Sequence, residues 1–109
     1  VLINIEEIAP GLDTSEYFAL VMQGDSMEPR MSDGDILIVH RQADVASGDV
    51  AAVRISGTDV IIRRVTKKAS GLLLSPTNAA HEFLLYTPEE AENQVTIIGR
   101  VIEIRRIME

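Results

Sequence analysis

Apolar positions along this chain fall into short blocks rich in Val, Ile and Leu, set apart by polar stretches that carry Gly, Ser, Asp or Pro. Short β-branched runs bounded by turn residues predict strands. The pattern places them over residues 17–22, 36–39, 49–55, 59–65, 72–74 and 95–107. Ser56-Gly57-Thr58 joins the third and fourth of these, which marks a hairpin with a short glycine turn. Gly99 inside the long last run indicates a bulge or bend. Thr87-Pro88-Glu89-Glu90 has the signs of a helix start: a Thr cap, Pro at the first helical position and Glu three after the cap. Gln94 and the strand after it confine that helix to a turn or two. No repeat, low-complexity tract or linker interrupts residues 1–109. The expected fold is one all-β domain, a strongly coiled, partly open barrel-like sheet with at most one short helical turn.

Composition narrows the function classes. Aromatic residues are 4% of the chain against 46% apolar overall, so the core must be aliphatic. With no cysteine, disulfides and thiolate metal sites are excluded. A net charge of −7, from 10 Lys and Arg against 17 Asp and Glu, repels phosphate, and nucleic-acid binding by this domain itself is not expected. The basic pairs Arg63-Arg64 with Lys67-Lys68, and Arg105-Arg106, read as solvated strand ends. No apolar run reaches the length of a membrane span and no basic leader precedes one, so a cytoplasmic location without membrane association is expected. The chain starts without Met, as a piece of a longer protein would.

The stretch that carries candidate chemistry is Gly24-Asp25-Ser26-Met27-Glu28-Pro29, followed by Asp33-Gly34-Asp35. It puts a serine in a tight turn between two apolar strands. Such a turn can present a hydroxyl and several backbone N–H groups at one point, as a nucleophile and an oxyanion hole require. A purely structural turn would have the same composition.

The order of these segments resembles a known family. Residues 18–29, then Asp33-Gly34-Asp35-Ile36-Leu37-Ile38-Val39, Ser47-Gly48-Asp49-Val50-Ala51-Ala52-Val53, the strand from Val60 to Val65, Leu74-Ser75-Pro76-Thr77-Asn78 and Ile98-Gly99-Arg100-Val101 are similar to the C-terminal, S24-type autoprotease domain of LexA-like repressors. Lambda-type phage repressors and UmuD mutagenesis proteins share that domain. The likeness runs over residues 17–107. It implies a self-cleaving serine protease with a Ser–Lys dyad, in which a buried, neutral lysine takes the serine proton. By the match Ser26 holds the nucleophile position, and the N–H groups of Ser26 and Met27 are candidate oxyanion donors. Where the family has Lys, the segment Ile62-Arg63-Arg64-Val65 puts Arg63, whose guanidinium stays charged and cannot serve as a base. The family's small scissile pair is also missing, since the chain has no Ala-Gly dipeptide.

Three readings of Arg63 remain open at this level. Self-cleavage was lost or never present; or Arg63 was introduced to trap an uncleaved form; or another amine substitutes, with Lys67 on the same strand face at about 13 Å further along. The resemblance implies a transcriptional repressor of the SOS-response type, with DNA read by an N-terminal domain outside this chain and a RecA-type activator in cleavable relatives. A UmuD-like polymerase accessory role is the alternative, as is an active self-cleaving protease. It also implies a homodimer built on the terminal strand, where Val101, Glu103, Arg105 and Ile107 are the interface candidates and the strand would be an exposed edge. His40 and His81 read as polar residues near strand ends, outside a triad. Asp25, Asp33 and Asp35 read as turn-shaping residues, with no metal or cofactor expected. Met22, Met27 and Met31 read as packing residues, and Asn78 as an Asx-turn after Pro76.

Overall fold

Branched aliphatic side chains favour extended backbone, where they pack on a pleated surface. In the computed structural model, which describes residues 2–57 and 59–106, such runs form eight strands. They are β1 (Leu2–Ile3), β2 (Tyr17–Val21), β3 (Ile36–Arg41), β4 (Val50–Ile55), β5 (Val60–Lys68), β6 (Gly71–Ser75), β7 (Leu84–Tyr86) and β8 (Val95–Arg105). Helix α1 (Ile5–Ile8) follows β1, and α2 (Pro88–Gln94) precedes β8. One antiparallel sheet contains all the strands, in the order β1-β2-β3-β8-β4-β5-β6-β7. Its end strands do not pair, so the all-β, open barrel-like architecture expected from the sequence is the one observed.

The sheet coils so that both faces are covered along its middle. Leu37 and Val39 on β3 join Phe18 and Leu20 of β2 and Val50 and Ala52 of β4 in the main core. Their neighbours Ile36 and Ile38 point the other way, onto Ile5 and Ala9 of the α1 region. On β4, Ala51 and Val53 face a third cluster with Val65 and Leu74. Burial on both faces explains why residues 36–39 are apolar without alternation. Thr87 caps α2 through a reciprocal box, its Oγ1 accepting from the Glu90 N–H while the Glu90 carboxylate accepts from the Thr87 N–H. No helix among the described residues is long and apolar enough to cross a membrane.

Two expectations need correction. The first concerns β8, which is not an edge strand. Its first half pairs with β4 and its second with β3, so it joins the two halves of the sheet. Among the described residues Gly99 and Arg100 pair on both sides, Val95 to Ile97 have β4 alone beside them, and Val101 to Arg105 have β3 alone. The crossover needs two extra residues: pairing with β4 skips Ile98, and pairing with β3 skips Ile102. The bulges therefore flank Gly99, whose missing Cβ lets the His40 carbonyl pass close by. Ile107 lies outside the described residues. The second correction is that α1 and the two short strands β1 and β7 are additional to the expected elements. Each is too short to show a hydrophobic period.

Candidate active site

Residues between β2 and β3 form a loop whose base is tied shut. The Met22 N–H donates to the Asp35 carbonyl and the Gly34 N–H to the Met22 carbonyl, each at 2.8 Å. Asp33 accepts from the Gly24 N–H at 2.8 Å, and Asp35 accepts from the Ser32 N–H at 2.8 Å, which is the turn-shaping role expected of these aspartates. Met27 and Met31 are buried and anchor the loop in the main core with Met22, so the methionines pack as expected. Ser26 sits on this anchored loop at 7% exposure.

A second loop, after β6, holds the serine turn in place. The Thr77 and Asn78 N–H groups donate to the Ser26 carbonyl at 3.1 and 3.0 Å. Thr77 Oγ1 donates to the Glu28 carbonyl at 3.1 Å and Asn78 Nδ2 to the Asp25 carbonyl at 3.0 Å. His81 Nε2 lies 2.6 Å from Asp25 Oδ1. Asn78 does form its Asx-turn, accepting from the Ala80 N–H at 3.0 Å. Its grip on the serine turn, like that of Thr77 and His81, was missed by sequence reasoning. The sole signal was Pro76-Thr77-Asn78, a composition shared by countless turns.

Arg63 reaches Ser26 from β5. Its Nη1 donates to Ser26 Oγ at 2.8 Å and to the Ile62 carbonyl at 2.7 Å. Its Nε is buried without an acceptor, and no carboxylate lies at ion-pair distance from it among the described residues. Burial pushes the guanidinium below the usual arginine pKa, yet arginine remains a cation at any ordinary pH. The Ser26 and Met27 N–H groups, the candidate oxyanion donors, donate to no acceptor among the described residues. Neither histidine bonds Ser26. His40 Nδ1 lies 2.7 Å from Gln42 Oε1, and its ring packs against Tyr17. Lys67 spends its ammonium on Asp44, with Nζ to carboxylate distances of 2.8 and 3.0 Å.

A cleft of about 360 Å³ opens beside this pair. Leu20, Met22, Val60 and Ile62 give it apolar walls, and Asp25, Asp59 and His81 stand among its polar groups. What the constellation can do chemically is limited. A hydroxyl and a cation can bind an electron-rich oxygen, but among the described residues no group bonded to Ser26 Oγ can take its proton.

The Peptidase S24-like family model matches residues 5–102. This chain belongs to the Peptidase S24-like family. A LexA repressor of Paramagnetospirillum magneticum (strain ATCC 700264 / AMB-1) is 27% identical to it over 97 residues. That alignment takes in 88% of this chain and 41% of the relative, so the S24-like domain described here spans less than half the length of the curated relative it matches.

Within the S24-like domain, the interface candidates at the end of β8 are scattered in role. Val101 packs against the main core. Glu103 and Arg105 pair with each other, Nε to Oε1 at 3.2 Å, and Arg105 also donates to the Ile8 carbonyl. Arg106 is exposed, as expected, but also makes a specific contact. It clasps Asp35, Nε to Oδ1 and Nη2 to Oδ2 both at 2.8 Å, and so fastens the end of β8 to the serine loop. Asp35 is only 2% exposed. The Arg106 hydrogen bond is the main reason its carboxyl titrates below the usual range; burial opposes the shift, and the Ser32 N–H and the Arg106 charge assist it.

A carboxyl with a depressed native pKa stabilises the fold above its unfolded pKa, and that stability is lost as pH falls through the native value. Urea midpoints should therefore drop as pH goes from about 5 to about 2, and Asp35→Asn should flatten part of the drop. Parallel pH profiles for the wild type and Asp35→Asn would remove Asp35 from the account.

Proposed function

We propose that this chain is the dimerisation and autoprotease-like regulatory domain of a LexA-type transcriptional repressor, with self-cleavage disabled by Arg63. The observation that carries the reading is the 2.8 Å hydrogen bond from Arg63 Nη1 to Ser26 Oγ, in a family whose chemistry needs an amine that can lose its proton. Ser26 takes the nucleophile position, Arg63 the position of the general base, and the Ser26 and Met27 N–H groups the oxyanion site. The pre-formed cleft then serves as architecture without turnover.

In this reading the domain acts from the cytoplasm, and its work is to hold two copies together. The open side of Val101 to Arg105, where Ile102 is 40% exposed, supplies a strand edge for a second copy across a two-fold axis. DNA is contacted through an N-terminal domain outside this chain. Dimerisation turns the second half-site contact into an intramolecular event and raises affinity without a new base contact.

The test uses the protein in its full natural length. Incubated at alkaline pH, the wild type is expected to stay intact on a denaturing gel and to sediment as a dimer, whereas Arg63→Lys is expected to cut itself upstream of the domain. Self-cleavage of the wild type at the rate of the lysine variant would refute the disabled reading.

A further inference from the structure

Arg63 presents an imbalance that its contact with Ser26 does not resolve. A guanidinium carries five donors and one positive charge. Here Nη1 meets two neutral oxygens, Nε is buried without an acceptor, and no carboxylate stands against the charge among the described residues. A cation drawn partly out of water without a counter-charge is unfavourable unless something anionic completes it. The Ser26 N–H, on the residue Arg63 bonds, also meets no acceptor among the described residues. Ser26 and Arg63 both line the cleft of about 360 Å³.

The cleft also has the shape of a strand site. β6 pairs only with residues 64–68 of β5, so residues 60–63 have β4 on one side and no strand on the other among the described residues. Those residues line the cleft, with the apolar side chains of Val60 and Ile62 among its walls. An extended peptide can add to such an edge through its backbone. Asp25 and Asp59 on the rim oppose a polyanion such as phosphate or nucleic acid, which leaves a single negative charge on an apolar chain as the fitting ligand.

We propose that the cleft captures the C-terminal carboxylate of an extended apolar peptide, with Arg63 as its counter-ion and the Ser26 hydroxyl as a further donor. The inference rests on the reading that Arg63 disables cleavage, and it turns the same residue from a lost base into a binding group. A site that would cut an internal amide instead holds a chain end. Arginine suits this task because its planar fork matches a carboxylate and stays charged at all ordinary pH.

The experiment titrates this chain, by amide chemical-shift perturbation, with acetyl-Ala-Val-Leu-Ala bearing a free C-terminal acid, with the same peptide amidated, and with acetate. The acid is expected to shift the Ser26 and Met27 amides and to bind about 10- to 100-fold more tightly than the amide. Arg63→Gln should remove the difference, and Arg63→Lys should retain part of it. Equal affinities of acid and amide for the wild type, or binding of neither, would overturn the proposal. So would acetate acting as strongly as the peptide acid, since that assigns the site to a small carboxylate. Intact mass is read from the same tubes. An uncut chain and peptide with no preference for the acid overturns this inference alone. Cleavage of either by the wild type overturns the disabled-cleavage reading and this inference with it.

Discussion

Arg63→Lys is expected to make Ser26 reactive: a fluorophosphonate that leaves the wild-type chain unlabelled should modify the variant at this serine. In the wild type Oγ receives a hydrogen bond from Nη1 at 2.8 Å, and the donor has no lone pair with which to take a proton in return. A lysine ammonium placed from the same backbone position differs in one respect, since it can deprotonate. Burial lowers the pKa of the group at residue 63, so the amine would be neutral over a wider alkaline range than a solvated lysine. A positioned general base contributes about 10²- to 10⁴-fold. The variant should therefore be labelled at least about 100-fold faster than the wild type at a pH near 10, with a rate that rises through a single ionisation. Adding Ser26→Ala to the variant should abolish labelling. Equal rates for Arg63→Lys and the wild type would show that residue 63 does not control the serine.

A large stability effect is expected at Gly99, far from any chemistry. A Cβ at this position would stand 2.3 Å from the His40 carbonyl oxygen and 2.6 Å from Val39 Cγ1. The oxygen belongs to the backbone of β3, which cannot swing aside without breaking the pairing that holds β8. Overpacking of this kind costs typically 1–3 kcal/mol and more when the obstacle is rigid, so Gly99→Ala should lose about 3 kcal/mol or more. Exposed Arg100 next to it, with its side chain away from the core, serves as the control; Arg100→Ala should stay within about 0.5 kcal/mol. Urea midpoints measure both. A Gly99→Ala variant as stable as the control would mean that β3 and β8 do not meet in this register.

These two positions also show what could be read in advance. Gly99 announced an irregularity in a long strand, and bulges do flank it, at Ile98 and Ile102. That β8 lies between β3 and β4 was not legible, because strand order depends on pairings between residues more than forty positions apart, such as Ala51 with Arg100. Local signals fared better. The Thr87 cap, the hairpin after β4 and the packing of Met27 all follow from nearest-neighbour chemistry or burial of an apolar side chain.

The candidate site was legible in part. Ser26 and Arg63 came from the resemblance, and the contact between them is formed. Thr77, Asn78 and His81 were read separately as turn and surface residues because their partners in the serine turn lie far off in sequence. Arg106 is exposed as read, but its pairing with Asp35 was not foreseen, since nothing local marks Asp35 as buried. Its carboxylate is buried and meets Arg106 from 71 positions away, a tertiary consequence invisible to a window of neighbours.

The hydroxyl of Ser26 is bonded to a permanent cation and, among the described residues, to no base. Intact-mass analysis of the wild-type chain, held with excess fluorophosphonate from about pH 6 to about pH 11, addresses it most directly. One unmodified mass is expected at every pH. A single adduct mapped to Ser26, growing in with the titration of some neighbouring group, would contradict it.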